Sequence, residues 1–203
     1  MGIQEYRGIR GLVAAEVTKD ANGESGGYTT GTPFAVAGVA ELSRTTETAS
    51  EAHYYDNAPA VVIDSTGSDE VTITCSAIPF DVLSKLTGQY YDEASGMFVE
   101  GERTPKYFAI GYITKKTDGT EVFVWRLKGK FNIPDSTHAT EDDGSDANGQ
   151  ELVFTGINTS HKFTKNGKTA KAVNVDTSVN TTVTEETFFA TVQTPDTVAS
   201  ISA

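Results

Sequence analysis

The stretch from residue 105 to 131 constrains the fold of this chain most strongly, because it reads as one long β-hairpin. Two runs of alternating apolar and aromatic residues flank Asp118-Gly119, and Asp-Gly is a preferred pair for a tight type I′ turn. A two-residue loop would place Tyr112 opposite Trp125. The chain is therefore predicted to contain an antiparallel sheet with this hairpin at its core.

That register divides the hairpin into two faces. The face predicted to be buried carries Phe108, Ile110, Tyr112, Phe123, Trp125 and Leu127. The other face is predicted to be wet, since antiparallel sheets commonly expose one side, and it carries a basic stripe of Arg126, Lys128 and Lys130. We interpret the stripe as a solvated sheet face. The second interpretation of the stripe is a charged interface to an acidic neighbouring protein, and the third is nucleic-acid binding.

Alternation elsewhere predicts a mainly β chain with two helices. Pro79, Asp81 and Gly88 mark the start and end of one helix, and Thr184 suits the cap of a short C-terminal helix. The predicted strands are 9–19, 34–46, 60–65, 71–77, 151–163 and 170–176, with a small hairpin at 90–99. This order favours an antiparallel β-sandwich or half-barrel with one flanking α-helix.

One domain is expected from 203 residues. Four segments are less regular: a flexible N-terminal arm at 1–8, an extended loop or hairpin arm at 43–57, an acidic loop at 135–149 and a loose C-terminal tail at 194–203. The opening residues hold no apolar signal region and no run is long enough to span a bilayer, so neither a signal peptide nor a membrane segment is expected.

The residues that could carry chemistry are scattered. Cys75, the only cysteine, lies in a clean alternation that predicts a buried thiol rather than a reactive one. The three histidines, which lack His or Cys partners at metal-ligand spacing, are His53, His138 and His161. Asp146 and Asn148 have calcium-loop spacing, but Gly144 stands where the first carboxylate belongs. We predict no enzyme, no metal site and no cofactor.

Acidic residues outnumber basic ones, 28 to 16, which gives a net charge of −12. Proteins that bind nucleic acid by neutralising phosphates need basic patches. The charge balance therefore argues against that class, and the acidity is interpreted first as a source of solubility.

The hairpin also carries a family resemblance. The runs Tyr107-Phe-Ala-Ile-Gly-Tyr-Ile-Thr-Lys-Lys-Thr-Asp-Gly and Val124-Trp-Arg-Leu-Lys-Gly-Lys-Phe resemble the major tail protein family of long-tailed bacteriophages. Three further segments extend the resemblance over about residues 6–195: the opening Gly8-Ile-Arg-Gly-Leu-Val-Ala-Ala, the strand–Pro–helix stretch at 71–88, and the closing Phe188-Phe-Ala-Thr-Val-Gln-Thr-Pro.

The resemblance implies a structural virion protein with a tail-tube fold. In this family six copies form a ring, their sheets join into an inner barrel, and stacked rings make an acidic conduit for phage DNA. The implied location is the virion tail, assembled in the host cytoplasm. The implied partners are further copies of the chain, tape-measure and tail-tip or terminator proteins, and genomic DNA that passes without specific binding.

The N-terminal arm, residues 43–57, the C-terminal tail and the basic stripe are then expected to contact neighbouring subunits and rings. This assignment rests on expected exposure rather than on matched motifs. The expected contact residues are Tyr6, Arg7, Arg44, Glu47, Glu51, Tyr54, Tyr55, Arg126, Lys128 and Lys130.

A different class of function stays open: a β-sandwich binding module, for example for carbohydrate. Its stacking platform would consist of Tyr54, Tyr55, Tyr90 and Tyr91. Such a module would stay monomeric and bind a glycan, whereas a tube subunit would self-associate.

Overall fold

The structure is a computed structural model that describes residues 3–23, 27–138 and 149–201. Within them lie twelve strands and two helices. The strands are β1 Tyr6–Asp20, β2 Tyr28–Thr30, β3 Phe34–Ala35, β4 Val39–Tyr55, β5 Ala58–Cys75, β6 Tyr90–Asp92, β7 Met97–Val99, β8 Phe108–Lys116, β9 Glu121–Phe131, β10 Asp135–Ser136, β11 Gln150–Gly156 and β12 Ala172–Asp176. The helices are α1 Phe80–Thr87 and α2 Glu185–Phe189.

Ten strands form one sheet whose main path runs β2-β1-β8-β9-β11-β5-β4. The pairings are antiparallel, and β3, β10 and β12 join the sheet beside β1, β11 and β9. The small hairpin β6–β7 stands apart from the sheet and follows α1. The predicted mainly β fold, an antiparallel sandwich or half-barrel with one flanking helix and a short C-terminal helix, is confirmed.

The sheet buries hydrophobic side chains on both faces. Along β1, Leu12 and Ala14 point into one cluster, while Val13 and Ala15 point into the other, as strand alternation requires. The first cluster lies under α1 and includes Ile73, Cys75, Val82, Leu83, Leu86, Phe108, Ile110, Leu152 and Phe154. The predicted burial of the Cys75 thiol is confirmed, with 2% of the residue exposed.

The second cluster lies under the C-terminal part of the chain. Trp125 is fully buried there, and its Nε1 donates a hydrogen bond to the carbonyl of Phe188 in α2 (3.0 Å). Thr184 caps α2 as predicted, accepting a hydrogen bond from the backbone N–H of Thr187. The tail is packed rather than loose as far as residue 199, because Val198 joins this cluster.

The turn of the central hairpin differs from the prediction. Lys116 N donates to Thr120 O (2.8 Å) and Gly119 N to Lys116 O (3.0 Å), so the loop has three residues, of which only Gly119 has a positive φ (90°). This is the pattern of a type I turn followed by a glycine bulge. The Asp118 carboxylate selects it by accepting from the N–H and the hydroxyl of Thr120 (2.9 and 2.7 Å).

The extra loop residue shifts the register by one, and a one-residue shift exchanges the faces. Tyr112 therefore faces Val124 instead of Trp125. The predicted wet basic face is wrong: both faces of β8 and β9 are covered, and Arg126 is 7% exposed. The resulting third apolar cluster consists of Tyr112, Val122 and Val124, with Ile9 and Leu42 packed against it.

The first helix follows its sequence signals closely. Pro79 was expected at the first helical position but occupies the N-cap, one residue earlier. Gly88 ends α1 in the left-handed conformation (φ 74°). Val82, Leu83 and Leu86 are buried against the sheet. Neither helix in the described ranges is long and apolar enough to cross a bilayer.

Of the segments predicted to be irregular, one joins the sheet and another lies mostly outside the described residues. The N-terminal arm predicted at 1–8 joins the sheet from Tyr6, which pairs with Lys116 of β8. Most of the predicted acidic loop, including its calcium-like spacing, falls on residues 139–148 and lies outside the described residues.

Gly129 tests how tightly the sheet is packed. A Cβ at this position would lie 2.3 Å from Phe154 Cζ and 2.5 Å from the backbone carbonyl oxygen of Thr155, and Phe154 is fully buried. We expect Gly129→Ala to lower the free energy of unfolding by about 1–3 kcal/mol, the usual cost of overpacking a core. Urea unfolding followed by Trp125 fluorescence measures this loss.

Gly101→Ala is the matched control, because a Cβ at Gly101 meets nothing within 4 Å. Its free energy of unfolding should change by less than about 1 kcal/mol. Equal losses in the two variants would contradict the packing described for Gly129.

Candidate assembly interface

The longest strands of the protein leave the sheet together. β4 and β5 pair with each other from Val39 opposite Cys75 to Tyr55 opposite Ala58. β11 covers the other edge of β5 only from Asp69 to Cys75. Residues 47–67, which we call the arm, are therefore a two-stranded ribbon that projects from the body of the protein.

The arm is exposed on both faces, since every residue from 47 to 67 is solvent-exposed. Five of its side chains are large and apolar or aromatic. Their exposed fractions are 66% for Tyr54, 65% for Tyr55, 50% for Val61, 58% for Val62 and 55% for Ile63.

The tip of the arm is a two-residue turn. Asp56 and Asn57 both have positive φ, 51° and 63°, as a type I′ turn requires. The sequence left residues 43–57 open between an extended loop and a hairpin arm, and the structure has a hairpin there. Its second strand takes in residues 60–65, for which a separate short strand was predicted.

This arrangement is physically costly for a lone subunit. A two-stranded hairpin is marginally stable in water without a covering layer. Unpaired strand edges and a contiguous run such as Val61–Ile63 also invite association. The arm is therefore the strongest candidate for an interface with another molecule.

An ionic cluster fixes the root of the arm. Asp69 on β5 is 3% exposed, and its carboxylate contacts Arg126 of β9 (2.8 Å), Lys171 before β12 (3.0 Å) and, at 3.8 Å, Arg44 of β4. Lys171 also donates to the carbonyl of Gly67. The cluster thus ties both strands of the arm to the centre of the sheet.

Two opposing effects set the pKa of Asp69. Burial alone would raise it, but the hydrogen bond from Lys171 and the positive charges of Lys171 and Arg126 hold the pKa below its ordinary value. Because the folded-state pKa lies below the unfolded one, the stabilisation is present near neutral pH and is lost as the pH falls through the folded pKa.

Three predicted contact residues meet at this root. Tyr6 (72% exposed), Arg44 and Arg126 line one cleft together with Asn174 of β12. Arg126 also donates to the hydroxyl of Tyr112 (3.3 Å), so its side chain is held inside the chain. Side chains from β1, β4 and β9, which are far apart in the sequence, therefore line the same cleft.

The rest of the basic stripe lies elsewhere and is engaged within the chain. Lys128 Nζ contacts Asp20 Oδ2 (2.6 Å), and Lys128 and Lys130 lie over the ring of Tyr107, with Nζ 4.8 and 4.5 Å from its centroid. Asp20 also accepts from the backbone N–H of Ser160 (2.7 Å). These contacts tie the 157–171 segment to β1 and β9.

The remaining predicted contact residues are exposed. Arg7 lies near the start of β1, and Glu47, Glu51, Tyr54 and Tyr55 lie on the arm. Of the ten contact residues predicted from the sequence, four therefore lie on the arm and three at its root.

The four tyrosines of the alternative binding module do not share one surface. Tyr54 and Tyr55 lie at the tip of the arm, whereas Tyr90 and Tyr91 belong to β6, which contacts α1 beyond the other end of β5. The arm and sheet portions of β5 separate the two pairs by on the order of 50 Å of strand. The stacking platform predicted for a carbohydrate-binding module is not formed.

Sequence reasoning missed the central members of this region. Val61–Ile63 was interpreted as part of a short strand, since apolar runs are usually buried. Asp69 and Lys171 stand about 100 residues apart, and no local pattern links them. Among the described residues, no three His, Cys, Asp or Glu side chains are grouped closely enough to hold a metal ion.

Asp69→Asn tests the ionic cluster. The change leaves Arg126, whose side chain is 8% exposed, without its charged partner. We expect the free energy of unfolding to fall by about 3 kcal/mol, the usual cost of breaking a buried ion pair on one side. Urea unfolding of the monomer at neutral pH measures it.

Asp64→Asn makes the same chemical change on the exposed arm and should alter the free energy of unfolding by less than about 0.5 kcal/mol. If Asp69→Asn were as mild as this control, the cluster would not be what holds the root of the arm.

Comparison with known proteins agrees with this architecture. The sequence model of the phage tail tube protein family matches residues 24–195, which is most of the chain and includes the arm, its root and the central hairpin. No curated protein matches the sequence. Since the match covers far more than half of the chain, this protein belongs to the phage tail tube protein family.

Proposed function

We propose that this tail tube protein assembles through its arm into stacked rings, of six subunits each, that form the conduit for phage DNA. Within a ring, neighbouring subunits join sheet edge to sheet edge. Between subunits and rings, the arm supplies the contact that its own chain leaves unmade. The family membership supports the structural role, and the arm supports the mode of assembly.

One observation carries this proposal: within residues 3–23, 27–138 and 149–201 no layer covers the arm. Every arm residue is exposed, and β4 pairs only with β5 along the arm. A neighbouring copy would cover the apolar side chains and satisfy the free strand edges. Ring closure is the general way in which a repeated sheet removes its edges.

The charge of the chain suits a conduit for DNA. Each subunit carries a net charge of −12, and the basic stripe is largely paired inside the chain. An acidic lumen repels phosphate, so the genome would slide without specific binding. On this proposal the protein has no catalytic role.

The proposed partners follow from the same role. Other copies of the chain are the first, and tape-measure and tail-tip or terminator proteins set the length and the ends of the tube. The protein would assemble in the host cytoplasm and reside in the virion tail. The predicted contact residues on the arm, Glu47, Glu51, Tyr54 and Tyr55, would lie in these interfaces.

Ile63→Asp tests the assembly role of the arm. Ile63 is 55% exposed, so the fold of the monomer should persist, but a charge in an apolar interface should prevent association. Negative-stain electron microscopy at high protein concentration should show rings or hollow tubes for the wild type and only monomers for the variant.

Val179→Asp is the control, because Val179 is exposed to a similar extent (64%) but lies after β12, away from the arm. It should form tubes like the wild type. Tubes of normal width and abundance from Ile63→Asp would contradict the proposal, as would a wild-type protein that stays monomeric even with tail-tip and tape-measure partners.

A further inference from the structure

We propose that the cleft at the root of one subunit's arm receives the arm of a second copy. This inference rests on the proposed assembly function and names the surface that the arm binds. The receiving surface is a pair of adjoining cavities of about 480 and 510 Å³, which we call the root cleft. Both cavities are lined by Tyr6, Arg44, Arg126 and Asn174.

The floor of the root cleft is apolar in one of its two cavities. Tyr112, Val122 and Val124 form the third hydrophobic cluster of the protein, and their side chains line this cavity. Among the described residues neither helix packs on this cluster; Ile9 and Leu42 cover it, and Tyr112, Val122 and Val124 are 4–7% exposed. Tyr6 stands at the rim with 72% of its surface exposed, which leaves an aromatic ring available to a partner.

The other cavity of the root cleft is cationic. Arg44, Arg126 and Lys171 surround the single carboxylate of Asp69, so positive charge is in excess by two. Glu41 lines the apolar cavity instead. Half of the Arg44 side chain is still exposed (48%), and the root cleft can therefore accept a further carboxylate at little desolvation cost.

The arm carries the complementary groups. Between residues 47 and 67 it has four acids, Glu47, Glu51, Asp56 and Asp64, and no Lys or Arg. The register places Glu51 opposite Ile63 and His53 opposite Val61, so one face of the arm presents two apolar side chains and one carboxylate. That face of the arm is therefore complementary to the root cleft, in which an apolar cavity adjoins a cationic one.

A subunit's own arm does not fit this role. Ile63 lies six residues along β5 from Asp69, about 20 Å away in an extended strand, and the paired ribbon would have to fold back on itself. A second copy meets no such obstacle. The contact between the arm of one copy and the root cleft of the next is heterologous. Such a contact repeats from subunit to subunit and generates a ring or a stack.

Reciprocal charge reversal tests the pairing. Arg44→Glu and Glu51→Arg should each raise the critical concentration for tube formation about tenfold or more, and the double variant should return it close to the wild-type value, because coupled interfacial charges restore each other. Lys168→Glu, a charge reversal at an exposed lysine of the 164–168 turn, should leave the critical concentration unchanged. Light scattering across a concentration series gives the critical concentrations of the wild type and the four variants.

A cross-link locates the contact independently of charge. Two variants, Ile63→Cys and Asn174→Cys, are mixed, assembled and oxidised, so that a disulfide between them joins different copies. We expect a covalent dimer from the mixture, and none from the wild type, whose Cys75 is buried. The circular dichroism of the monomers shows that each variant is folded.

The outcomes separate the two proposals. If no tubes form from the wild type even with tail-tip and tape-measure partners, the proposed function fails. If tubes form, but the double variant does not recover and the mixed cysteine variants do not cross-link, the arm binds a surface other than the root cleft and this inference is overturned. Cross-linking of Ile63→Cys to itself would indicate arm-to-arm contact and would overturn it equally.

Discussion

A ribbon of two strands cannot bury an apolar layer by itself, and the arm of this protein is such a ribbon. Residues 47–67 expose both faces and present Val61–Ile63 to solvent. A chain that needed only a stable monomer would gain nothing from such a segment, which adds ordering entropy without adding core. Under the proposed function, another copy covers the arm and offsets this cost, which couples the fold of the subunit to its assembly.

The body of the protein supplies the rigidity that the arm lacks. β8 and β9 are covered on both faces, and the indole of Trp125 holds α2 against the sheet. Asp69 then connects this centre to the arm through Arg126 and Lys171. A buried ionic cluster contributes less to net stability than its short distances suggest, but it fixes geometry. Here it sets the direction in which the arm leaves the sheet.

Much of the local structure could be predicted from the sequence, because local patterns determine it. Alternation located the first strand and predicted the burial of Cys75, and the signals at Pro79, Gly88 and Thr184 located both helices. The strand content and the antiparallel class followed from the same patterns.

The errors arose where a second local interaction competed with the expected one, or where a contact joined residues distant in sequence. At Asp118-Gly119 the expected turn gave way to a longer one, and a single added residue exchanged the two faces of the hairpin. Arg126 was consequently placed in water, although it is buried beside Asp69. The arm shows a second limit: an apolar run predicts burial, but only the three-dimensional structure shows that the described part of the chain leaves Val61–Ile63 exposed.

Hydrogen–deuterium exchange on monomer and assembled tube tests most directly whether the arm is an assembly element. We expect backbone amides of residues 47–67 to exchange rapidly in the monomer and to become strongly protected in the tube, while those of β8 and β9 are protected in both states. Arm amides that exchange equally fast in monomer and tube would contradict it, because the arm would then remain uncovered after assembly.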